Sequence, residues 1–304
     1  MANVKFDSNS RVSLSNADSG TSNTVFGKLA GQNIDSGTNY NVFIGDSVAD
    51  ATLADAVNNV GIGMNTLSTL TSGDNNVVVG MQAGFLMTSQ SNCTIVGKDA
   101  GVALNHDDAN GTVAVGANAL GALTSGIKNT AVGFEALKST QEGDYNTAIG
   151  YQAMSTTNFT DEGENVAVGY KAMDLATDAR RNVALGNQTM GGATLTGDNN
   201  VAIGYHAGYD MTGGTGNVII GMQSGSNLTD GLYNTAVGYQ SLYRSLDGDN
   251  NTAIGYQASY TYEGGNGQGN NTAVGFKALY YNDTAENNTA VGALCCEDLT
   301  GTGN

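Results

Sequence analysis

Proline and tryptophan are absent from this 304-residue chain, and cysteine (three) and histidine (two) are scarce. Without proline no turn is set by a locked φ, so chain reversals fall to the 44 glycines, which accept φ > 0 and let backbones approach closely. Without tryptophan, the core has to be thin, filled by Val, Ile, Leu and Ala. Basic residues number 11 against 28 acidic ones, a net charge of −17. No Lys/Arg cluster stands out from that background, which excludes the electrostatic footprint of a nucleic-acid partner. The acidity reads as solubility and mutual repulsion between copies. No apolar run reaches the 18 residues a membrane helix needs, so no membrane insertion is expected. The opening Met1–Asp7 lacks the apolar stretch of a signal peptide. Of the cysteines, Cys295 and Cys296 are adjacent, so free thiols are expected rather than a disulfide framework.

One short phrase fills what remains: Asn, Val or Thr, a small residue, Val or Ile, then Gly. Its closing glycines are Gly27, Gly45, Gly63, Gly80, Gly97, Gly116, Gly133, Gly150, Gly169, Gly186, Gly204, Gly221, Gly238, Gly255, Gly275 and Gly292. The fifteen steps run from 17 to 20 residues, and nine of them are 17. So short and constant a period marks a solenoid, one coil per copy. The fold class expected is an all-β parallel β-solenoid of about 16 coils. Residues 1–22 read as a cap or attachment segment, 23–296 as the repeat domain, and 297–304 as the lead-in to a further copy or a shortened end.

Counting from each glycine as position 0, Asn holds −4 in fourteen of sixteen copies, with Cys93 and Thr112 the exceptions. Position −3 is Val or Thr, −2 is mostly Ala, and −1 is Val, Ile or Leu except for Phe26. Such alternation predicts a short strand. Residues two apart share a face, so −3, −1 and +1 point one way and −4, −2 and 0 the other. The branched set is expected to fill the core. The small set is expected to meet a second copy: Ala131, Gly133, Ala148, Gly150, Ala167, Gly169, Ala202, Gly204, Ala236, Gly238, Ala253 and Gly255. Stacked asparagines, at Asn129, Asn146, Asn165, Asn182, Asn200, Asn217, Asn234 and Asn251, are expected to form an amide ladder. Apolar residues at +3 and +4, such as Ala153–Met154, should supply the opposing wall, and the variable polar stretch after them an outer turn. Each coil has few side chains of its own to bury, so lateral burial against identical copies is expected, with cyclic closure the common solution.

The phrase at Asn234–Gly238, Asn-Thr-Ala-Val-Gly, resembles the head repeats of trimeric autotransporter adhesins. The longer form Asn-Thr-Ala-Ile-Gly-Tyr-Gln-Ala, at Asn146–Ala153 and Asn251–Ala258, is similar to repeats of phage tail-fibre and related virion proteins, as is the opening Asn9–Asn16. The resemblance covers roughly residues 23–292. It implies a left-handed β-roll and a side-by-side homotrimer. It also implies a structural role, as the shaft or head of a phage tail fibre or spike that carries host-receptor binding. Other virion or fibre proteins at the ends, and a host-surface receptor or glycan, would be its partners, and the virion its location. The alternative is an extracellular bacterial adhesin or surface filament. The longer outer turn, and the lack of a stalk, neck or anchor pattern, depart from the adhesins and favour the fibre.

No catalytic, cofactor-binding or metal-binding constellation rises above the repeat, so a non-enzymatic chain without cofactor is expected. His106 and His206 lie 100 residues apart, and His206 occupies a +2 position held by Gln152 and Gln240 elsewhere, which reads as a solvated site. Gly61-Ile62-Gly63 lacks the third glycine and the helix of a dinucleotide loop. Asp247 with Asp249, or Asp161 with Glu162 and Glu164, could approach a calcium ion, but the Gly-Gly-x-Gly-x-Asp pattern is missing.

Overall fold

The computed structural model describes residues 12–13, 20–157, 159, 162–262 and 269–299. Two compact units divide the chain, Met1–Asn146 and Thr147–Asn304. Among the described residues there is no helix, and about sixteen turns of parallel β-solenoid are present. Of the expected segments, 1–11, 14–19 and 300–304 lie outside the described residues, as does the outer-turn stretch 263–268.

In the first unit seven three-residue strands recur, from Thr24–Phe26 and Val42–Ile44 to Thr130–Val132. They pair in parallel without offset, −3 on −3 and −1 on −1, as in Val60↔Val77 and Ile62↔Val79. The pair Val12–Ser13 runs antiparallel against the first of them, Val12 opposite Phe26. The second unit repeats the arrangement nine times, from Thr147–Ile149 to Thr289–Val291, again in strict register, as in Thr235↔Thr252 and Val237↔Ile254. β-Branched residues at two of three strand positions favour this extended backbone.

The alternation is as the sequence predicts, but its facing is the reverse. In every repeat strand the middle residue is buried and its flanks are partly or fully exposed, as in Thr235–Val237 and Val166–Val168. Ala131, Ala148, Ala167, Ala202, Ala236 and Ala253 have no exposed surface within the single chain. They cannot be the face that meets another copy. The reason is the width of the coil. Its opposing wall brings in Leu or Met at +4, such as Leu137, Met154, Met173 and Leu242, all fully buried. Facing residues in so thin an interior must alternate in size. Where −2 is large the +4 residue shrinks: a side chain at Gly101 would meet Ile95 at 3.1 Å, and one at Gly225 would meet Ile219 at 3.0 Å.

The glycine at 0 answers to the same chain rather than to a partner. Its φ lies near +140°, for example +141° at Gly186 and +134° at Gly204. A Cβ there would stand 2.6 Å from the carbonyl oxygen of the glycine one turn on, for both Gly186 and Gly204. After it the chain bends through left-handed residues at +2 and +4, such as Gln152 (φ 53°) and Met154 (φ 50°). Such conformations are costly for non-glycine residues and persist where surroundings over-determine them. Here the neighbouring turns do so. Lys171 N–H donates to the Tyr151 carbonyl at 3.0 Å, and Met154 N–H to that of Ala172 at 3.0 Å. Backbone groups outside the strands are thus paired between turns as well.

Candidate interaction surface

The asparagine row lies inside. In the second unit Asn182 N–H donates to Asn165 Oδ1 at 2.9 Å, Asn200 to Asn182 at 2.8 Å, and Asn217 to Asn200 at 2.9 Å. Asn234 to Asn217 and Asn251 to Asn234, both 2.8 Å, extend the row. From Asn165 to Asn234 each Nδ2 also reaches a carbonyl of the next turn, Asn200 that of Gly214 at 2.7 Å and Asn234 that of Gly248 at 2.7 Å. In the first unit Asn146 N–H donates to Asn129 Oδ1 at 2.9 Å, and Asn129 Nδ2 to the Gly143 carbonyl at 2.6 Å. These amides are buried and committed to the fold, so they offer nothing to a ligand. Cys93 breaks the row: its N–H still donates to Asn76 Oδ1 at 2.9 Å, but its side chain has no amide to pass on. Burial pushes the Cys93 thiol up from its ordinary pKa.

The surface available to a partner is the set −3, −1 and +1. Ile149, Tyr151, Tyr170, Tyr205, Met222, Tyr239, Ile254, Tyr256 and Phe276 are all exposed on it. Tyrosines and phenylalanine at +1 stack along the turns, Tyr151 on Tyr170 at 5.5 Å, Tyr239 on Tyr256 at 5.1 Å and Tyr256 on Phe276 at 5.4 Å. Across the nine turns of the second unit no residue at −3, −1 or +1 is charged. In the first unit the only charges in these rows are Lys28, Asp46 and Lys98, all at +1.

Beside the +1 row, at +2, Gln240 Nε2 donates to Gln223 Oε1 at 2.9 Å and Gln257 Nε2 to Gln240 Oε1 at 2.8 Å. A second aromatic stack follows at +5, Tyr243 on Tyr260 at 5.1 Å and Tyr260 on Tyr280 at 5.0 Å. The repeat pattern gave glutamine at +2 but neither its hydrogen bonds from turn to turn nor the tyrosine stack at +5. The sequence signal of the aromatic rows is that Tyr239, Tyr256 and Phe276, and Tyr243, Tyr260 and Tyr280, keep the same positions relative to the repeat glycine, at +1 and +5. His206 is not a freely solvated residue. Its ring is sandwiched between Tyr205 (4.0 Å) and Tyr209 (4.3 Å), with Nε2 3.1 Å from Gln188 Oε1. Burial lowers its pKa, partly opposed by the Asp210 carboxylate.

The carboxylates considered for calcium serve the turns. Asp249 Oδ1 accepts from Leu232 N–H at 2.8 Å, and Asp247 Oδ1 from the Thr229 hydroxyl at 2.7 Å. The same corner recurs at Asp74 on Val57 N–H, Asp144 on Ile127 N–H and Asp198 on Arg180 N–H, each at 2.8 Å. Asp161 lies outside the described residues, and among those described no three His, Cys, Asp or Glu side chains gather into a possible metal site. The Cys295 and Cys296 sulfurs lie 3.8 Å apart, and their mutual hydrogen bond raises the Cys296 pKa. No protein-family model matches this chain, and no curated protein matches it.

Proposed function

We propose that this chain is a non-enzymatic structural fibre protein that works as a side-by-side homotrimer, the shaft or head of a viral tail fibre or spike that holds host-receptor binding away from the particle. One observation carries the reading: in a chain of net charge −17, no residue at −3, −1 or +1 is charged across nine consecutive turns, and the cations beside them, Lys171 and Lys277, lie over the rings of Tyr170 and Phe276. Exposed Ile, Tyr, Met and Phe recur on that face in most of its turns, and a continuous apolar row of this kind marks a protein–protein contact. A partner that follows it turn by turn needs the same axial repeat, about 4.7–4.9 Å, and a second copy of this chain has it. The trimeric number and the virion setting come from the resemblance of the Asn-Thr-Ala-Ile-Gly-Tyr-Gln-Ala phrase to tail-fibre repeats. Fibre proteins at the ends and a host-surface receptor or glycan remain the partners of this reading.

Light scattering tests it. The wild type is expected at three times the 31.0 kDa chain mass. Ile254→Glu, on the outward face, should lower that mass to a single chain while far-ultraviolet circular dichroism stays unchanged. A wild-type mass of one chain at micromolar concentration would overturn the proposal.

A further inference from the structure

The buried polar side chains of the second unit are hydrogen-bonded along the asparagine row, but those around Tyr262 are not. Tyr262 is fully buried at +7, a row held in other turns by Met211 and Leu228. Its ring lies against Gly248, where an added Cβ would come within 2.6 Å of the ring carbons. Two small residues stand at neighbouring core positions. Ser245 is its register partner in the preceding turn, in the parallel pair Arg244–Ser245 with Thr261–Tyr262. Ser259 stands at +4, where other turns place Leu242 or Leu279. One large aromatic and two serines in these rows bring hydroxyls inside.

The side-chain oxygens of Ser245, Ser259, Thr261 and Tyr262 are all buried, and none has a hydrogen-bond partner among the described residues. Elsewhere in this core, buried hydroxyls are paired: Ser224 and Ser241 lie 2.8 Å apart, and Ser224 Oγ also reaches the Ala236 carbonyl at 3.1 Å. An unpaired buried hydroxyl is expensive, and four in adjoining turns would consume much of a domain's net stability. Burial, followed by the fields of Glu286 and Asp249, pushes the Tyr262 pKa up to about 12. The hydroxyl therefore stays protonated and can donate as well as accept.

We infer that the Tyr262 turn holds an internal hydration site, in which one or two ordered water molecules bridge the hydroxyls of Tyr262, Ser245 and Ser259. Neutral donors and acceptors suit water, which needs two to four polar partners to be retained in a protein interior. They do not suit an ion, since no charged side chain is among them. The site is independent of the fibre reading, because it lies inside one chain.

A crystal structure at high resolution would show density at hydrogen-bonding distance from the Tyr262 hydroxyl and from at least one serine oxygen. Thermal melts of Tyr262→Phe, Ser245→Ala and the double variant give a second measure. With bridging water, each single variant lowers the melting temperature, and the double variant falls by less than the sum. Were the hydroxyls merely stranded, removing one would raise the melting temperature and the effects would add. That result overturns the inference, as does density showing the hydroxyls bonded directly to one another. Should a variant fail to fold, the wild-type density alone decides.

Discussion

The Gly204 position shows how a single residue type is dictated by its neighbours. Two constraints meet there, a φ of +134° and a carbonyl oxygen of Gly221 within 2.6 Å of any Cβ. Gly204→Ala should therefore cost at least the roughly 1–3 kcal/mol of a strained backbone, read as a melting temperature lower by several degrees. Gly111→Ala is the control: it too has positive φ (+75°), but nothing lies within 4 Å of its added Cβ. It should lose only the glycine preference for that conformation. A loss at Gly111 as large as that at Gly204 would mean that stacking distance is not the cause. Residue by residue, the period, the strand positions and the asparagine row were legible, because spacing alone encodes them. What was not legible is which side of the strand faces in. Ala236 and Ile254 differ in size, and ranking by hydrophobicity puts Ile254 inside. The width of the interior reverses that order, and width depends on side chains such as Leu242 that arrive from another part of the coil.

At the scale of one turn, the +2 row behaves as an element of its own. Gln223, Gln240 and Gln257 pass one amide hydrogen bond to the next, whereas His206 enters the row through its ring nitrogen and two tyrosine faces. A histidine whose folded pKa is depressed stays neutral in the fold while the unfolded chain takes up a proton. The unfolded state is therefore favoured as pH falls below about 6.5. Thermal stability should decline between pH 7.5 and 5.5. His206→Gln, which restores the residue found in neighbouring turns, should flatten that decline. Nuclear magnetic resonance titration of His206 provides the direct check, and a midpoint above the ordinary histidine value would contradict the assignment. The aromatic stacks of this surface escaped sequence reading for a simple reason. A tyrosine every 17 to 20 residues becomes a stack only when turns pair without offset, and register is a property of the folded pairing.

On the largest scale, the second unit keeps charged residues out of its apolar rows, whereas the first admits Lys28, Asp46 and Lys98 at +1. The carboxylates sit at outer corners, as Asp144 and Asp198 do, while the −3, −1 and +1 rows of the second unit carry none. Association through those rows should therefore resist salt, and screening should weaken repulsion between the acidic copies. Sedimentation at 0.05 M and 1 M NaCl is expected to give the same oligomer, with less dissociation on dilution at the higher concentration. Breakdown into single chains at 1 M would point to ion pairs across the interface. Within each unit the pairing has a further consequence. Because every turn bonds only to those directly before and after it and never slips sideways, one complete 17-residue phrase can be duplicated or deleted between Asn217 and Asn251 with each surviving partner intact. Gain or loss of whole phrases would then extend or shorten such a unit in increments of about 4.8 Å, a ruler graduated in single repeats.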